Sequence, residues 1–119
     1  MTLPERKTAD CNGRTISYRE AGQGPATLFL HGIGSGSESY EGQFDGLSGK
    51  LRLIAWDAPG YGASDPFPAD APSCEDYAAA LASLLDMRGV MSAHIVGHSI
   101  GAPIAAALCR QRAGLALTM

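Results

Sequence analysis

Five consecutive uncharged residues, Ala26-Thr27-Leu28-Phe29-Leu30, run straight into His31-Gly32-Ile33-Gly34. A strand with one wet face alternates polar and apolar side chains. This run shows water no polar face, so it reads as a strand buried on both sides of a largely parallel sheet. Leu51-Arg52-Leu53-Ile54-Ala55-Trp56, ending at Asp57, is the next strand, and Ala93-His94-Ile95-Val96 is a third, shorter one.

The segments between these runs carry helical signals. After a Gly/Ser loop to Ser39, Tyr40, Phe44 and Leu47 share one face of a short helix over Tyr40 to Leu47. Ser73-Cys74-Glu75-Asp76 resembles a capping box, and the helix it opens places Tyr77, Leu81, Leu84 and Leu85 at i, i+4, i+7 and i+8, with Gly89 as its stop. Ile100 to Arg112 is an Ala-rich helix with Pro103 in its first turn, where a missing N–H breaks no internal bond. Gly114 ends it, and Leu115 to Met119 reads as the opening of another strand. Upstream, Lys7 to Cys11 pairs through an Asn12-Gly13 hairpin turn with a half-buried strand over Arg14 to Arg19, near a sheet edge. Ala58 to Pro72 holds four prolines, which exclude regular helix and central strand. Two strands, three strand–helix repeats and a strand stub predict an α/β layered fold with a mostly parallel sheet, in one domain over 1–119.

Composition narrows the function. The chain has 119 residues, net charge −3, 45% hydrophobic and 18% charged residues, so it shows no electrostatic footprint for nucleic acid. It contains no apolar stretch long enough to cross a membrane, and Met1 to Lys7 lacks the apolar core of a signal peptide, so a cytoplasmic location is expected. Cys11, Cys74 and Cys109 are odd in number and widely spaced, which argues for reduced thiols rather than a zinc site.

Gly97-His98-Ser99-Ile100-Gly101 is a Gly-x-Ser-x-Gly pattern. The regular expression is weak in a chain this rich in Gly and Ser, and its context decides. An apolar strand precedes it and a helix follows, the setting of a nucleophile elbow. There the chain turns sharply at Ser99, lifts Oγ clear of the backbone, and needs small residues at 97 and 101, whose side chains would collide across the turn. The Ile100 N–H, at a helix N-terminus, faces the place where an oxyanion would form. The Gly-rich loop at the end of the neighbouring strand supplies a second donor, with Ile33 N–H as the candidate. The alternative is a Gly-rich turn with an incidental Ser. His31 is expected to hold its loop by hydrogen bonds. Asp57 and Ser64, flanking Ala58-Pro59-Gly60-Tyr61-Gly62-Ala63, are expected to bond the amides of that turn.

Together His31-Gly32-Ile33-Gly34, Asp57 to Ser64 and Gly97 to Gly101 resemble, in order, the motifs of the α/β-hydrolase family, in its compact bacterial esterase, enol-lactonase and carbon–carbon-bond hydrolase branch. The resemblance covers essentially the whole chain. It implies Ser99 as nucleophile, Ile33 and Ile100 as oxyanion-hole amides, and His31, Gly32, Gly34, Asp57, Gly60, Gly62, Ser64, Gly97 and Gly101 as structural positions. It also implies a small-molecule acyl substrate, such as an ester or lactone, with no metal and no organic cofactor. A Ser rather than an Asp nucleophile argues against the haloalkane dehalogenase and epoxide hydrolase branches.

The departure is at the other end. In the family the acid and the His follow the serine, yet none of the twenty residues after Ser99 is His, Asp or Glu. The sequence therefore reads as the N-terminal half of such a domain, cut near the start of the family's sixth strand, with the cap, acid and base missing. His98 and His94 are poor replacements, because side chains on a strand end diverge. Three readings stay open: a serine hydrolase half, a non-catalytic shortened relative that binds a ligand or partner, and a site completed by a second polypeptide. An unpaired strand edge at Leu115 to Met119 would favour self-association.

Overall fold

The structure is a computed structural model, and it describes residues 3–68 and 72–119. Residues 1–2 and 69–71, the latter within the Pro-rich Ala58 to Pro72 stretch, lie outside the described residues. The strands are β1 (Lys7–Cys11), β2 (Arg14–Ala21), β3 (Ala26–Leu30), β4 (Arg52–Trp56), β5 (Ala93–Gly97) and β6 (Ala116–Thr118). The helices are α1 (Glu41–Leu47), α2 (Cys74–Met87) and α3 (Gly101–Gln111).

One sheet holds the strands in the order β1-β2-β4-β3-β5-β6. β4, β3, β5 and β6 run parallel, while β1–β2 and β2–β4 are antiparallel. The expected hairpin is present: Asn12 and Gly13 take φ of 56° and 84°, which matches the twist of the flanking strands. From β3 the chain steps to β4 on one side and then returns through α2 to β5 on the other. The strand order therefore reverses between the carboxyl ends of β3 and β5, the crevice where open α/β sheets bind ligands.

Burial follows the alternation of side chains across the sheet. On one face Leu28, Leu30, Ile54, Trp56 and Ile95 meet Leu81, Leu84 and Leu85 of α2 and Ile104 and Leu108 of α3. On the other, Phe29, Leu53 and Ala55 meet Tyr40 and Phe44, with the Phe29 and Tyr40 rings 4.7 Å apart. This second cover stops short of β5, whose Val96 lies beside Phe29 in register and is exposed. The capping box forms as read: Asp76 N–H donates to Ser73 Oγ at 3.2 Å and Ser73 N–H to Asp76 Oδ2 at 2.8 Å.

Three local expectations need correction. The loop before α1 contains a single 3-10 turn, Ser37–Tyr40, held by Ser39 N–H and Oγ–H donating to Gly36 O. Leu47 does not join the buried face of α1. The centre of β2 is not half-buried: Ile16, Ser17 and Tyr18 are all buried, because the loop after β4 folds over it, with Asp65 N–H donating to Thr15 O at 2.8 Å.

Candidate active site

The elbow forms where β5 gives way to α3. His98 N–H extends the β5 ladder by one bond, to Leu30 O of β3 at 3.0 Å. The chain then reverses at Ser99, which adopts φ +58°, a left-handed conformation that L residues with a Cβ enter at a cost. Gly101 N–H and Ala102 N–H bond back to His98 O and Ser99 O, at 2.9 and 3.0 Å, and start the helix. A Cβ at Gly97 would lie 2.6 Å from Gly101 O and 2.9 Å from Ala102 Cα, so collision across the turn explains that glycine. It does not explain Gly101. A Cβ there would meet β3, 2.4 Å from Leu30 O, so Gly101 is small to let α3 sit against the neighbouring strand.

Leu30 O is a junction that the sequence did not reveal. It accepts from His98 N–H and from Tyr40 Oη–H at 2.9 Å, so one carbonyl ties the elbow, β3 and the start of α1 together. The loop that follows lies directly on the elbow, since a Cβ at Gly32 would stand 3.1 Å from Ser99 Cβ and 2.9 Å from His98 Nδ1. Gly34 then turns the chain with φ +75°, and Ser35 N–H closes the turn onto Gly32 O at 3.2 Å. Ile33 and Ile100 thus stand on two touching loops, and among the described residues neither backbone N–H donates to an acceptor. Ser99 itself is exposed.

His31 is buried and both ring nitrogens are occupied. Nε2 accepts from Ala58 N–H at 3.0 Å, and Nδ1 lies 2.9 Å from Gly32 O, which can only accept. The imidazole is therefore the neutral Nδ1–H tautomer, pinning the β3 loop to the β4 loop. Tyr61 packs edge-on against it, with ring centroids 4.8 Å apart.

Asp57 and Ser64 depart from the expected pattern. The Asp57 carboxylate bonds no amide of its own turn, and the Ser64 hydroxyl reaches the turn only at Asp57 O. Asp57 Oδ1 accepts from Ser37 N–H at 2.8 Å, while Oδ2 accepts from Ser17 Oγ–H at 2.6 Å and Arg6 Nε–H at 3.0 Å. Ser64 Oγ accepts from Ser17 N–H at 2.8 Å and donates to Asp57 O at 2.5 Å. The turn amide of Ala63 donates to Ser17 Oγ instead, at 3.0 Å. Gly60 takes φ +90°, and Gly62 leaves room for the carboxylate, since a Cβ there would fall 2.5 Å from Asp57 Cγ. Burial pushes the Asp57 carboxyl up, but the Ser17 and Ser37 bonds and the Arg6 guanidinium outweigh it and hold it below its usual range. Asp57 is thus a buried, ionised strut. Ser17, Ser37 and Arg6 gave no signal in sequence, because their partners are far along the chain.

Among the described residues no imidazole or carboxylate hydrogen-bonds Ser99 Oγ. His98 lies against Gly32, and His94 Nδ1 is 2.8 Å from Thr118 Oγ1 at the other end of β5. Cys109 is half-buried, its thiol 3.6 Å from Met119 Sδ. No group of three potential metal ligands occurs among the described residues, and no helix there is long and apolar enough to cross a membrane.

The family model described as "Alpha/beta hydrolase family" matches residues 27–119. The chain is 38% identical over 96 residues to a 2-(acetamidomethylene)succinate hydrolase of Mesorhizobium japonicum, covering 81% of this chain and 34% of that protein. It is 36% identical over 101 residues to the dihydrolipoyllysine-residue acetyltransferase component of an acetoin cleaving system in Cupriavidus necator, covering 84% and 27%. It is 33% identical over 96 residues to a 2-hydroxy-6-oxo-6-phenylhexa-2,4-dienoate hydrolase of Comamonas testosteroni, covering 77% and 34%. Among solved structures, an epoxide hydrolase of Vigna radiata superposes with a TM-score of 0.84 at 31% identity, over 91% of this chain and 36% of that one. The chain thus spans about a quarter to a third of the curated relatives it matches. With that family model matching most of its length and an elbow formed between β5 and α3, the chain belongs to the alpha/beta hydrolase family.

Proposed function

We propose that this chain carries the nucleophile and oxyanion-binding part of a serine hydrolase acting on carboxylic esters, lactones or related acyl compounds. Ser99 Oγ attacks the carbonyl carbon, and the N–H groups of Ile33 and Ile100 hold the oxygen as it becomes anionic. The leaving group departs from a tetrahedral intermediate, and water then attacks the Ser99 ester and frees the acid. The general base and the carboxylate that orients it come from outside residues 1–119. The observation that carries this reading is Ser99 at φ +58°, a conformation with a cost, beside two unbonded amides on touching loops.

Two relatives are named as hydrolases of carboxylates, one bearing an oxo group, which fits attack at a carbonyl. The Vigna radiata structure is named an epoxide hydrolase, yet serine chemistry disfavours that reaction here. Opening an epoxide with a serine alkoxide leaves an ether that water does not release, whereas acyl transfer leaves a hydrolysable ester. The second reading, a non-catalytic relative, is favoured by the absence of any described group bonded to Ser99 Oγ.

A fluorophosphonate probe separates the two. Oxyanion binding without the base leaves a rate of about 10³ over water in triad knockouts of serine proteases, so slow but complete labelling is expected. The adduct should map to Ser99 and vanish in Ser99→Ala. A folded chain that stays unlabelled would establish the non-catalytic reading.

A further inference from the structure

The side chains of Ile33 and Ile100, whose amides are the two oxyanion donors, also line a cavity of about 270 Å³, with Ile104, Tyr61 and Tyr77 completing most of its wall. Its lining is mainly apolar. Of its polar groups, His31 has both nitrogens bonded within the protein, and the Tyr61 and Tyr77 hydroxyls have no hydrogen-bond partner among the described residues. Among the described residues no Lys, Arg, Asp or Glu lines it. Burial, and then the neighbouring Tyr61 hydroxyl and Cys74 thiol, push the Tyr77 phenol up. Engineered apolar cavities of about 150 Å³ take a benzene ring, while whole drug-sized ligands need about 300–1,000 Å³. A space of 270 Å³ therefore suits one arm of a molecule rather than the whole.

We propose that this cavity is the subsite for an uncharged apolar arm of the substrate, a chain of about four to six carbons or a single aromatic ring, attached to the carbonyl that Ser99 attacks. The assignment rests on the serine hydrolase reading for its chemistry, but binding to the cavity requires no reactive serine. A carboxylate-ended arm is excluded, because it would lose its water and find no cation.

Isoleucine methyl NMR on the 119-residue chain tests this with a built-in control. Ile33, Ile100 and Ile104 line the cavity, whereas Ile16, Ile54 and Ile95 sit elsewhere in the core. The probes are neutral primary amides from acetamide to decanamide. The first three methyl signals should move and the last three stay still. Affinity should rise by about threefold to fourfold per methylene up to about six carbons and then level off. The monoamide of adipic acid should bind at least tenfold more weakly than hexanamide. Ile33→Ala trims an exposed rim side chain without touching the core, and it should weaken hexanamide several-fold, as should Tyr77→Ala. Unmoved cavity methyls at millimolar hexanamide, movement of all six, or indifference to chain length would overturn the subsite. Binding without fluorophosphonate labelling refutes the hydrolase reading alone. Labelling without binding refutes the subsite alone.

Discussion

Replacing Ser99 by glycine should leave a more stable chain than replacing it by alanine, although alanine is the closer mimic of serine. Both variants delete Oγ, which has no bonded partner among the described residues, and the residue is exposed, so no core packing intrudes. They differ only in the Cβ. At φ +58° that atom crowds the following carbonyl, at a cost of about 1–2 kcal/mol for an L residue. Glycine escapes the clash but loses about 0.5–1 kcal/mol more backbone entropy on folding. The balance favours Ser99→Gly over Ser99→Ala by about 0.5–1 kcal/mol. Trp56, the single tryptophan and fully buried, reports unfolding by fluorescence in urea. With m near 1–3 kcal/mol/M, the two midpoints should stand about 0.2–1 M apart. Asn12, at φ 56° in the hairpin turn, provides the control, since its Gly and Ala variants should differ in the same direction. If Ser99→Ala matches or exceeds Ser99→Gly while the Asn12 pair behaves as expected, residue 99 is not held in a left-handed turn and the elbow reasoning fails.

Gly97→Ala should cost about 1–3 kcal/mol, because its Cβ meets fixed backbone of α3, while Gly46→Ala, in α1 with open space around it, should gain about 0.5–1 kcal/mol; thermal melts of the two read opposite signs. Ser17→Ala orphans the Ala63 N–H and leaves Asp57 Oδ2 with Arg6 as its remaining donor, and should cost about 1–3 kcal/mol in urea midpoints at pH 7. Asp57 has a depressed carboxyl in the folded state, so its contribution is whole above the unfolded carboxylate range, near pH 4, and is lost as pH falls through the folded value. Asp57→Asn should therefore lose about 2–3 kcal/mol at pH 7 and show a shallower decline of stability between pH 4 and pH 2, measured by urea titration at each pH.

What the sequence made legible is what its near neighbours decide. The apolar stretches of β3 and of β4 after Arg52, the Asn12-Gly13 hairpin and the Ser73–Asp76 capping box each depend on a few adjacent residues, and each stands where the pattern put it. The errors share one cause. Asp57 and Ser64 were read as bonding their own turn, because a turn rich in Gly and Pro offers nearby amides. Ser64 Oγ does reach back to Asp57 O, but the other partners, Ser17, Ser37 and Arg6, lie 40 or more, 20 and 51 residues away, brought in by β2, by the 3-10 turn before α1 and by the segment before β1. Strand β2 looked half-buried for the same reason: the layer covering its second face is a loop formed some 45 residues later.

The candidate site divides along the same line. Position 99 is legible because the elbow is a steric problem solved within five residues, and Gly97 answers it locally. Gly101 and Gly32 look like part of that local solution, but they answer to other elements: Gly101 to Leu30 O of β3, and Gly32 to the Ser99 and His98 side chains. Leu30 O fixes the height of the elbow against β3, and the loop leaving β3 carries Ile33 to the elbow's side. Ser99 and the Ile33 and Ile100 amides are therefore set by one strand pair, β3 and β5, at the reversal of strand order. A general base has no such local signature, since it need only reach the serine in space. That asymmetry explains why the elbow is legible in the sequence while the partners of Ser99 are not.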